Sequence, residues 1–322
     1  MKILVTGGAG YIGSHMVKML CDLGYSVVVI DSLVTGHKKL VDRRAKFIKS
    51  CISSKNVVKK ALQDCHTVMH FAGCIEVGIS MKNPLKFFEN NDYFGVILLE
   101  AMTKSKVKNI IFSSTAAIYG DPRYTPIDEM HPQEPTNFYG QSKLFFEQLL
   151  DWYSKIHGIN HISLRYFNAA GADESGSIGE LHSPETHIIP LVLQVALKQK
   201  KSFRIFGTDY KTYDGTCIRD YVHVNDICKA HMLALKYLIK NKKNNCFNLG
   251  IGKGVSVRDV ILSCQGVTGE KINTIEGKRR EVDTSILVAS SDKASKILGW
   301  KPKYTEIDSI IKTAWNWHRN NV

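Results

Sequence analysis

The feature that most constrains the fold is a glycine-rich turn close to the start of the chain. Residues 3–6 have the pattern of a buried strand, residues 7–13 carry both G-x-x-G-x-x-G and G-x-G-x-x-G spacing, and a helical pattern follows to about residue 23. Glycines in this setting allow a tight turn, close approach of the backbone to a pyrophosphate at the helix N-terminus, and close helix packing. The predicted dinucleotide contacts here are Gly7, Gly10, Tyr11, Ile12 and Gly13.

Short strand patterns alternate with longer amphipathic stretches through the first half of the chain. The strand patterns are residues 3–6, 26–30, 67–71, 109–113 and 161–165. This alternation favours βαβ units and an α/β fold with a Rossmann-type doubly wound parallel sheet. We predict an NAD-binding domain over residues 1–170 and a smaller mixed α/β substrate-binding domain mainly over residues 171–322, with a segment at about 215–250 returning to the first domain.

An acidic residue marks the end of the second predicted strand. Asp31 lies 18 residues beyond Gly13, where a carboxylate accepts hydrogen bonds from the adenosine ribose hydroxyls and repels a 2′-phosphate. NAD is therefore favoured over NADP. A solvated acidic turn residue is the alternative, and Lys38 and Lys39 in the same loop leave the choice of cofactor open at this point.

A hydroxyl, a phenol and an ammonium are predicted to converge at the same edge of the sheet. Tyr139 and Lys143 form a Y-x-x-x-K pattern that shares one helix face, and Thr115 follows the strand pattern that begins at residue 109. A phenol with a pKa of ~10 needs a shift of about 3 units, or roughly 4 kcal/mol, to act as a base near neutrality. One cation about 4 Å away contributes energy of that order, whereas desolvation opposes it. An ordinary amphipathic helix turn is the alternative.

These motifs resemble a known superfamily. The segments TGGAGYIG (6–13), SSTA (113–116) and YGQSK (139–143) resemble the extended short-chain dehydrogenases/reductases, and LRYFN (164–168), IRDYVHV (218–224) and LGW (298–300) are similar to the UDP-galactose 4-epimerase family. The resemblance covers nearly the whole chain. It implies interconversion of UDP-glucose and UDP-galactose, by oxidation at C4 to a 4-keto sugar and reduction from the opposite face with retained NAD.

The resemblance also implies residue roles. Tyr139 is the implied acid/base, Lys143 lowers its pKa and holds the nicotinamide ribose, and Thr115 binds the reacting oxygen. The further implied cofactor contacts are Asp31, Ser32, Thr35, Gly36, Ile52, Phe71, Ala72, Gly73, Asn90, Ser113 and Tyr166. The implied substrate contacts are Thr115, Tyr139, Asn168, Ile188, Phe206, Arg219, Arg280, Asp283 and Leu287.

Some positions depart from the family pattern or bear on substrate breadth. Cys51 stands where an acidic residue usually contacts adenine, and the lysine that is common after residues 71–73 is absent, with Cys74, Ile75 and Glu76 following instead. Leu287 occupies the position whose bulk limits an N-acetyl group at C2 of the sugar, and leucine is smaller than the tyrosine of strictly glucose/galactose members. UDP-GlcNAc and UDP-GalNAc are therefore additional candidate substrates.

Another NAD-dependent nucleotide-sugar epimerase is one alternative function, and three rivals differ more in their chemistry. A nucleotide-sugar 4,6-dehydratase needs an additional acid/base pair, but Ala116 and Ala117 follow Thr115 where that family has Asp-Glu. A UDP-glucuronate decarboxylase is weaker still, because no dedicated carboxylate clamp is identified. The net charge of +13 suggests a noncatalytic NAD-binding or nucleic-acid-binding protein, but the complete set of Thr115, Tyr139 and Lys143 argues against it.

The expected partners are a UDP-sugar and a second copy of the chain. The resemblance implies a homodimer through helices near residues 84–104 and 138–157, and no nucleic-acid or membrane partner is predicted. The eight cysteines show no C-x-x-C spacing, which indicates reduced thiols in the cytoplasm. No metal-ligand set is predicted from the sequence.

Overall fold

A computed structural model describes residues 1–280 and 283–321. The strands among them are β1 (Lys2–Thr6), β2 (Ser26–Asp31), β3 (Lys46–Lys49), β4 (Thr67–His70), β5 (Asn109–Thr115), β6 (Asn160–Tyr166), β7 (Asn168–Ala170), β8 (Phe203–Phe206), β9 (Ile218–Arg219), β10 (Tyr221–His223), β11 (Asn245–Leu249), β12 (Val255–Ser256), β13 (Thr274–Gly277) and β14 (Ile286–Leu287). The helices are α1 (Tyr11–Asp22), α2 (Lys55–Ala61), α3 (Val77–Ser80), α4 (Pro84–Phe87), α5 (Phe94–Lys104), α6 (Phe138–His157), α7 (Ile188–Ala196), α8 (Val224–Asn241), α9 (Val257–Thr268) and α10 (Ile307–Asn321). None of these helices has both the length and the apolar character required to cross a membrane.

Seven strands form one parallel sheet in the order β11-β6-β5-β4-β1-β2-β3. The direction in which successive strands are added reverses between β1 and β4, which places a ligand crevice outside the carboxyl ends of these strands. This arrangement confirms the predicted Rossmann-type doubly wound fold.

The sheet is buried on both faces because helices cover each of them. Ile3 packs in a core with residues of α1 and α8, such as Met16 and Leu235. Its neighbour Leu4 points to the other face and packs with residues of α2 and α6, such as Val58 and Phe146. Successive side chains of a strand point to opposite faces, so the central residues of β1, Ile3 to Val5, must all be apolar, as they are.

A second group of elements forms a smaller core beside the sheet. Helices α7, α9 and α10 contribute Val192, Val260 and Ile310 to it. Three small sheets (β10-β7, β12-β9-β14 and β13-β8) accompany these helices. Between α7 and α9 the chain returns to the main sheet, since α8 packs on the same face as α1 and β11 pairs with β6. A domain boundary near residue 170 remains our proposal.

Candidate active site

The glycine-rich turn forms an open cradle at the start of α1. A Cβ atom added to Gly13 would lie 2.1 Å from the Gly7 carbonyl oxygen, so this position requires glycine. At Gly10 the same addition meets only the Gly7 oxygen, at 3.4 Å, which leaves space above the turn. No side chain caps the N-terminus of α1 and its first turn contains no acidic residue. These features fit a pyrophosphate, because free N–H groups and the helix dipole favour an anion.

Asp31 is a fixed, buried carboxylate at the end of β2. It is 8% exposed, and its oxygens accept hydrogen bonds from the backbone N–H groups of Ala9 (2.9 Å) and Leu33 (2.8 Å). It is therefore not a solvated turn residue. A carboxylate has about four acceptor positions, so two remain for ribose hydroxyls. In the same loop Gly36 packs against Asp31, whereas Ser32 and Thr35 are exposed on the rim.

Further predicted cofactor residues lie at the carboxyl ends of β4, β5 and β6. Phe71, Ala72 and Gly73 follow β4 directly, while Ser113 and Tyr166 lie at the ends of the adjacent strands β5 and β6. The Tyr166 hydroxyl is buried beside Ser113. Ile52, in the loop after β3, is buried as well.

Thr115 and Tyr139 are brought together by the docking of α6 onto the end of β5. Thr115 is the last residue of β5, and Asn137 caps α6 by accepting a hydrogen bond from the Gly140 N–H group (2.9 Å). A Cβ atom on Gly140 would lie 2.4 Å from the carbonyl oxygen of Ala117, so the two main-chain segments are in direct contact. Burial raises the pKa of the Tyr139 phenol, and a hydrogen bond with the Thr115 hydroxyl lowers it. The net shift is upward, so the phenol needs a further positive charge to act as a base near neutrality.

Lys143 lies one helical turn beyond Tyr139 and is 3% exposed. Its ammonium donates a hydrogen bond to the Ser113 carbonyl oxygen (3.0 Å) and lies 4.8 Å from the centre of the Phe112 ring. Burial lowers its pKa to about 8, whereas Asp92 and other nearby acidic groups raise it. The structure thus holds a lysine that titrates close to physiological pH beside the catalytic candidates.

A buried ion pair that the sequence analysis missed fixes α6 to the sheet. Arg165 on β6 donates hydrogen bonds to both carboxylate oxygens of Glu147 on α6, at 3.1 and 3.2 Å from its Nε atom. Glu147 also accepts a hydrogen bond from Ser114 on β5, and Arg165 donates to the Tyr119 hydroxyl (2.9 Å). This network holds the helix that carries Tyr139 in register with both strands. The available sequence signal was an acidic residue four positions after Lys143 on a largely apolar helix face.

The asparagine-rich turn before α5 differs from the expected arrangement. Residues Phe88–Tyr93 form a π-helical turn, and the predicted cofactor residue Asn90 donates to the Lys86 carbonyl oxygen of its own helix (2.8 Å). Asn91 instead binds the backbone of Cys74 (2.7 Å from N to Oδ1) and the Ser142 hydroxyl (2.9 Å). Asp92 is 2% exposed, and its Oδ1 atom has no hydrogen-bond partner among the described residues. Asn91 and Asp92, rather than Asn90, therefore lie beside the Lys143 side of the cleft.

The charged residues predicted to bind substrate are engaged with neighbouring side chains. Arg219 donates to the Asp283 carboxylate and to the Ile218 carbonyl oxygen (2.8 Å). The Arg280 guanidinium lies 4.5 Å from the centre of the Phe206 ring. Arg219 does not pair with its neighbour Asp220, whose buried carboxylate accepts three backbone N–H groups.

The remaining predicted substrate residues are Leu287, Asn168 and Ile188. Leu287 pairs with Arg219 between β14 and β9 and packs on the apolar cluster that contains Ala116. Leu287 therefore lies beside Arg219 and close to Ala116, the residue that follows β5. Asn168 begins β7 and Ile188 begins α7. Among residues 1–280 and 283–321, the one group able to hold a metal ion lies in the loop before α7 and includes none of these residues.

Comparison with known proteins agrees with this geometry. Residues 3–250 match a model of the NAD dependent epimerase/dehydratase family. The chain is 50% identical, over 100% of its length and 98% of the relative, to a UDP-glucose 4-epimerase from Lacticaseibacillus casei. A solved UDP-glucose 4-epimerase shares 47% identity at a TM-score of 0.97, covering 100% of this chain and 98% of that one. The enzyme from Bifidobacterium longum, solved with NAD+ and UDP, shares 36% identity at a TM-score of 0.94, covering 100% and 99%.

Proposed function

The chain belongs to the NAD dependent epimerase/dehydratase family, and we propose that it interconverts UDP-glucose and UDP-galactose. The observation that carries this proposal is the meeting of the Thr115 hydroxyl and the Tyr139 phenol one helical turn from Lys143, beside a dinucleotide cradle. The whole-length likeness to UDP-glucose 4-epimerases supports the same reaction.

The enzyme is NAD-dependent, and the described residues fit this cofactor. The turn around Gly10 and the N-terminus of α1 would hold the pyrophosphate, and Asp31 would accept the adenosine ribose hydroxyls. When bound, NAD supplies the acceptor and donor of the C4 hydride. Asp31 opposes a 2′-phosphate, which agrees with NAD rather than NADP.

The chain's own contribution to the chemistry is proton transfer at the sugar 4-oxygen. Tyr139 removes the hydroxyl proton as the 4-keto sugar forms and returns it when the ketone is reduced from the other face. Thr115 holds the reacting oxygen by a hydrogen bond. Lys143 stabilises the tyrosinate, because a cation nearby favours the charged phenol and offsets the desolvation that raises its pKa.

Epimerisation further requires that the nucleotide stays bound while the hexose turns over. We assign the diphosphate to Arg219 and Arg280, because guanidinium groups bind phosphate oxygens through paired charged hydrogen bonds. Asp283 would accept from the uridine ribose, with Phe206 against the uracil. The sugar, which lies beyond this anchor, is then free to present either face of C4.

Assay of purified protein with UDP-galactose tests the reaction. UDP-glucose should form until the two sugars reach equilibrium, while NADH never exceeds one equivalent per active site, since the net redox change is zero. Accumulation of stoichiometric NADH without UDP-glucose would contradict the proposal. A 4,6-dehydratase would instead release a stable 4-keto-6-deoxy sugar, for which Ala116 and Ala117 offer no second acid/base group.

Substrate breadth depends on Leu287 in this proposal. Leucine is smaller than the tyrosine of strictly glucose/galactose members, so we assign UDP-GlcNAc and UDP-GalNAc as additional substrates. Leu287→Tyr should lower kcat/KM for the N-acetylated pair by about 10-fold while retaining activity on UDP-glucose, since small steric differences in a pocket are worth about 1–3 kcal/mol. Leu287→Met is the size-matched control. Equal kcat/KM for the N-acetylated sugars in Leu287→Tyr and wild type would show that residue 287 does not control their access.

We also propose a homodimer formed by the adjoining surfaces of α4 to α5 and α6. Large apolar side chains are exposed on both, and the rings of Phe88 and Phe145 lie 6.4 Å apart. Trp152, further along α6, is 58% exposed. Trp152→Glu should shift the sedimentation coefficient from dimer to monomer, whereas Leu262→Glu, an exposed apolar residue on α9, should not. A monomeric wild type would contradict the proposal.

The location we propose is the cytoplasm. All eight cysteines are free in the described structure, and five of them are buried. Free thiols on this scale are typical of a reducing compartment.

A further inference from the structure

A cluster of four potential metal ligands lies in the loop between β7 and α7. Glu180, His182, Glu185 and His187 each offer one nitrogen or oxygen atom, and these four atoms all lie within 4.8 Å of one another. The spacing is E-x-H-x-x-E-x-H, which places every ligand within eight consecutive residues. No residue of the cluster belongs to the proposed catalytic or UDP-sugar contacts, although Ile188 follows it directly.

The distances within the cluster match those between ligands of one ion. Glu180 Oε1 lies 3.3 Å from His182 Nδ1 and 2.8 Å from His187 Nδ1. Glu185 Oε2 lies 3.7 Å from His182 Nδ1, and Glu185 Oε1 lies 3.1 Å from His187 Nδ1. Ligands held at about 2.0–2.1 Å from a tetrahedral Zn²⁺ are separated from one another by about 3.3 Å.

Two of these atoms lack the hydrogen bonds that their burial demands. Glu180 Oε1 and His182 Nδ1 are inaccessible to solvent, and neither makes a hydrogen bond of good geometry to a described residue, although His187 Nδ1 lies 2.8 Å from Glu180 Oε1. Their proximity is therefore not that of a well-formed hydrogen bond, even though donor and acceptor are 3.3 Å apart. Buried polar atoms without partners are costly, and a cation between them would satisfy both.

The surroundings hold the ligands in place. The Glu185 carboxylate accepts hydrogen bonds from the backbone N–H groups of Thr186 (2.7 Å) and His187 (2.8 Å). The Glu180 carbonyl oxygen accepts a hydrogen bond from the indole of Trp317 on α10 (3.2 Å). Such outer contacts orient ligands in metal sites.

We propose that Glu180, His182, Glu185 and His187 bind one Zn²⁺ ion in a structural site. Imidazole and carboxylate are both zinc ligands, and four protein ligands close the coordination shell, which is typical of a structural rather than a catalytic ion. Two carboxylates and two neutral imidazoles balance the charge of a divalent cation. Two protonated imidazoles would balance it equally, so a purely ionic cluster is the competing arrangement.

The site joins two parts of the fold. The His182 ring packs edge-on against Tyr11, with 6.4 Å between ring centroids, and Tyr11 opens the helix that follows the glycine-rich turn. The loop of the ligands leads directly into α7 and contacts α10 through Trp317. Zinc would therefore fix the start of α7 against the cofactor-side helix, and its loss affects stability more than chemistry.

Metal analysis of the purified full-length protein, prepared without an affinity tag that binds metal, tests the proposal. Wild type should contain about one zinc per chain. Chelation should lower its Tm by about 5 °C, and added ZnCl₂ should restore it. The double variant His182→Ala/His187→Ala should contain no zinc. His161→Ala is the matched control, because His161 pairs with Asp151 (3.2 Å) and belongs to no metal-ligand group within residues 1–280 and 283–321. It should retain one zinc.

A measurement on wild type keeps the proposal testable if the double variant fails to fold. Co²⁺ added to chelated protein should give the intense visible absorption of tetrahedral coordination, with one equivalent saturating the signal. Wild type without zinc, without a Co²⁺ spectrum and without a Tm response to either metal would overturn the proposal in favour of the ionic cluster. Equal zinc in the folded double variant would overturn it as well, since the ion would then lie elsewhere.

Discussion

The two sides of the cleft hold their charged groups in different ways. On the cofactor side, Asp31 and Lys143 are buried, and main-chain groups fix them at 2.8–3.0 Å. On the substrate side, the side chains of Arg219 and Asp283 are 13% and 20% exposed and bind each other. The cofactor side is therefore organised by the fold itself, whereas the substrate side is organised by contacts that a ligand must replace.

This difference corresponds to the demands of the proposed reaction. NAD has to survive each turnover, and a carboxylate held by two backbone donors needs no rearrangement to receive it. A UDP-sugar has to enter and leave, so its binding residues must exchange partners readily. The exchange leaves no charge unpaired, because a diphosphate can replace the Asp283 carboxylate on Arg219 through charged hydrogen bonds while Asp283 accepts ribose hydroxyls.

The largest expected effect is on the chemical step, with little change in the binding of either cofactor or substrate. Tyr139→Phe should lower kcat by about 10²–10⁴-fold, because it removes the proton that is transferred, while bound NAD and KM stay close to wild type. Tyr153→Phe on the same helix is the control, since that hydroxyl binds Glu100 (2.7 Å) away from the cleft. Turnover and NAD content are measured on the same preparation. A proportional loss of NAD in Tyr139→Phe would show that the phenol acts mainly in cofactor binding.

The next effect concerns the cofactor side alone. Asp31→Asn places an amide N–H against one of the backbone donors of Ala9 and Leu33, so Kd for NAD should rise by about 100-fold. KM for UDP-glucose, measured at saturating NAD, should not change. Asp42→Asn is the control, because Asp42 also accepts a backbone N–H group, that of Arg44 (2.9 Å), but outside the cleft. An equal rise in KM would break the separation of the two sides.

A smaller effect is expected on the substrate side. Arg219→Met removes one charged contact to the diphosphate, and KM for UDP-galactose should rise by about 10-fold with NAD retained. Arg123→Met serves as a control, since Arg123 forms an exposed pair with Glu134 (2.6 Å). The measurement is a pair of kcat and KM values for each variant. Loss of NAD from Arg219→Met would indicate that Arg219 also contributes to cofactor binding.

The smallest expected effect is a change in pH dependence. Lys143 has a pKa of about 8, so kcat/KM should decline above that pH as the ammonium loses its proton. Asp92, Cys74 and Glu147 each raise this pKa. Burial raises the pKa of Asp92 to about 8 as well, so this carboxyl supports the ammonium only where it is ionised. Asp92→Asn removes that support, and the alkaline limb should therefore move to lower pH, with a several-fold loss of activity at pH 8. A limb that moves to higher pH would contradict the assignment.

Local sequence predicted the cofactor side well because strand ends and glycine turns have local causes. Residues 7–13 had to be a turn after a buried strand, and Asp31 had to end the next strand. The π-helical turn was not foreseen, since residues 84–104 have the pattern of one continuous helix. Its additional residue rotates the side chains by about 100° relative to an α-helix, which explains why Asn91 and Asp92, not Asn90, approach Cys74 and Lys143.

Long-range pairs were also beyond the reach of local patterns. Arg165 and Glu147 are 18 residues apart on different elements, and Arg219 and Asp283 are 64 apart. Only the packing of α6 on the sheet, and of β9 near β14, brings them together. The four clustered side chains of residues 180–187 are close in sequence, but a loop has no periodic geometry from which their convergence follows.

The contact between Gly140 and the Ala117 carbonyl bears on how the enzyme tolerates change over evolutionary time. It makes the separation of phenol and hydroxyl a property of the polypeptide backbone, with no intervening side chain to adjust it. Substitutions outside this contact and the Arg165–Glu147 network consequently have little influence on the reaction geometry. Residues around the sugar can therefore change, and substrate specificity with them, while the distance between the Thr115 hydroxyl and the Tyr139 phenol stays the same.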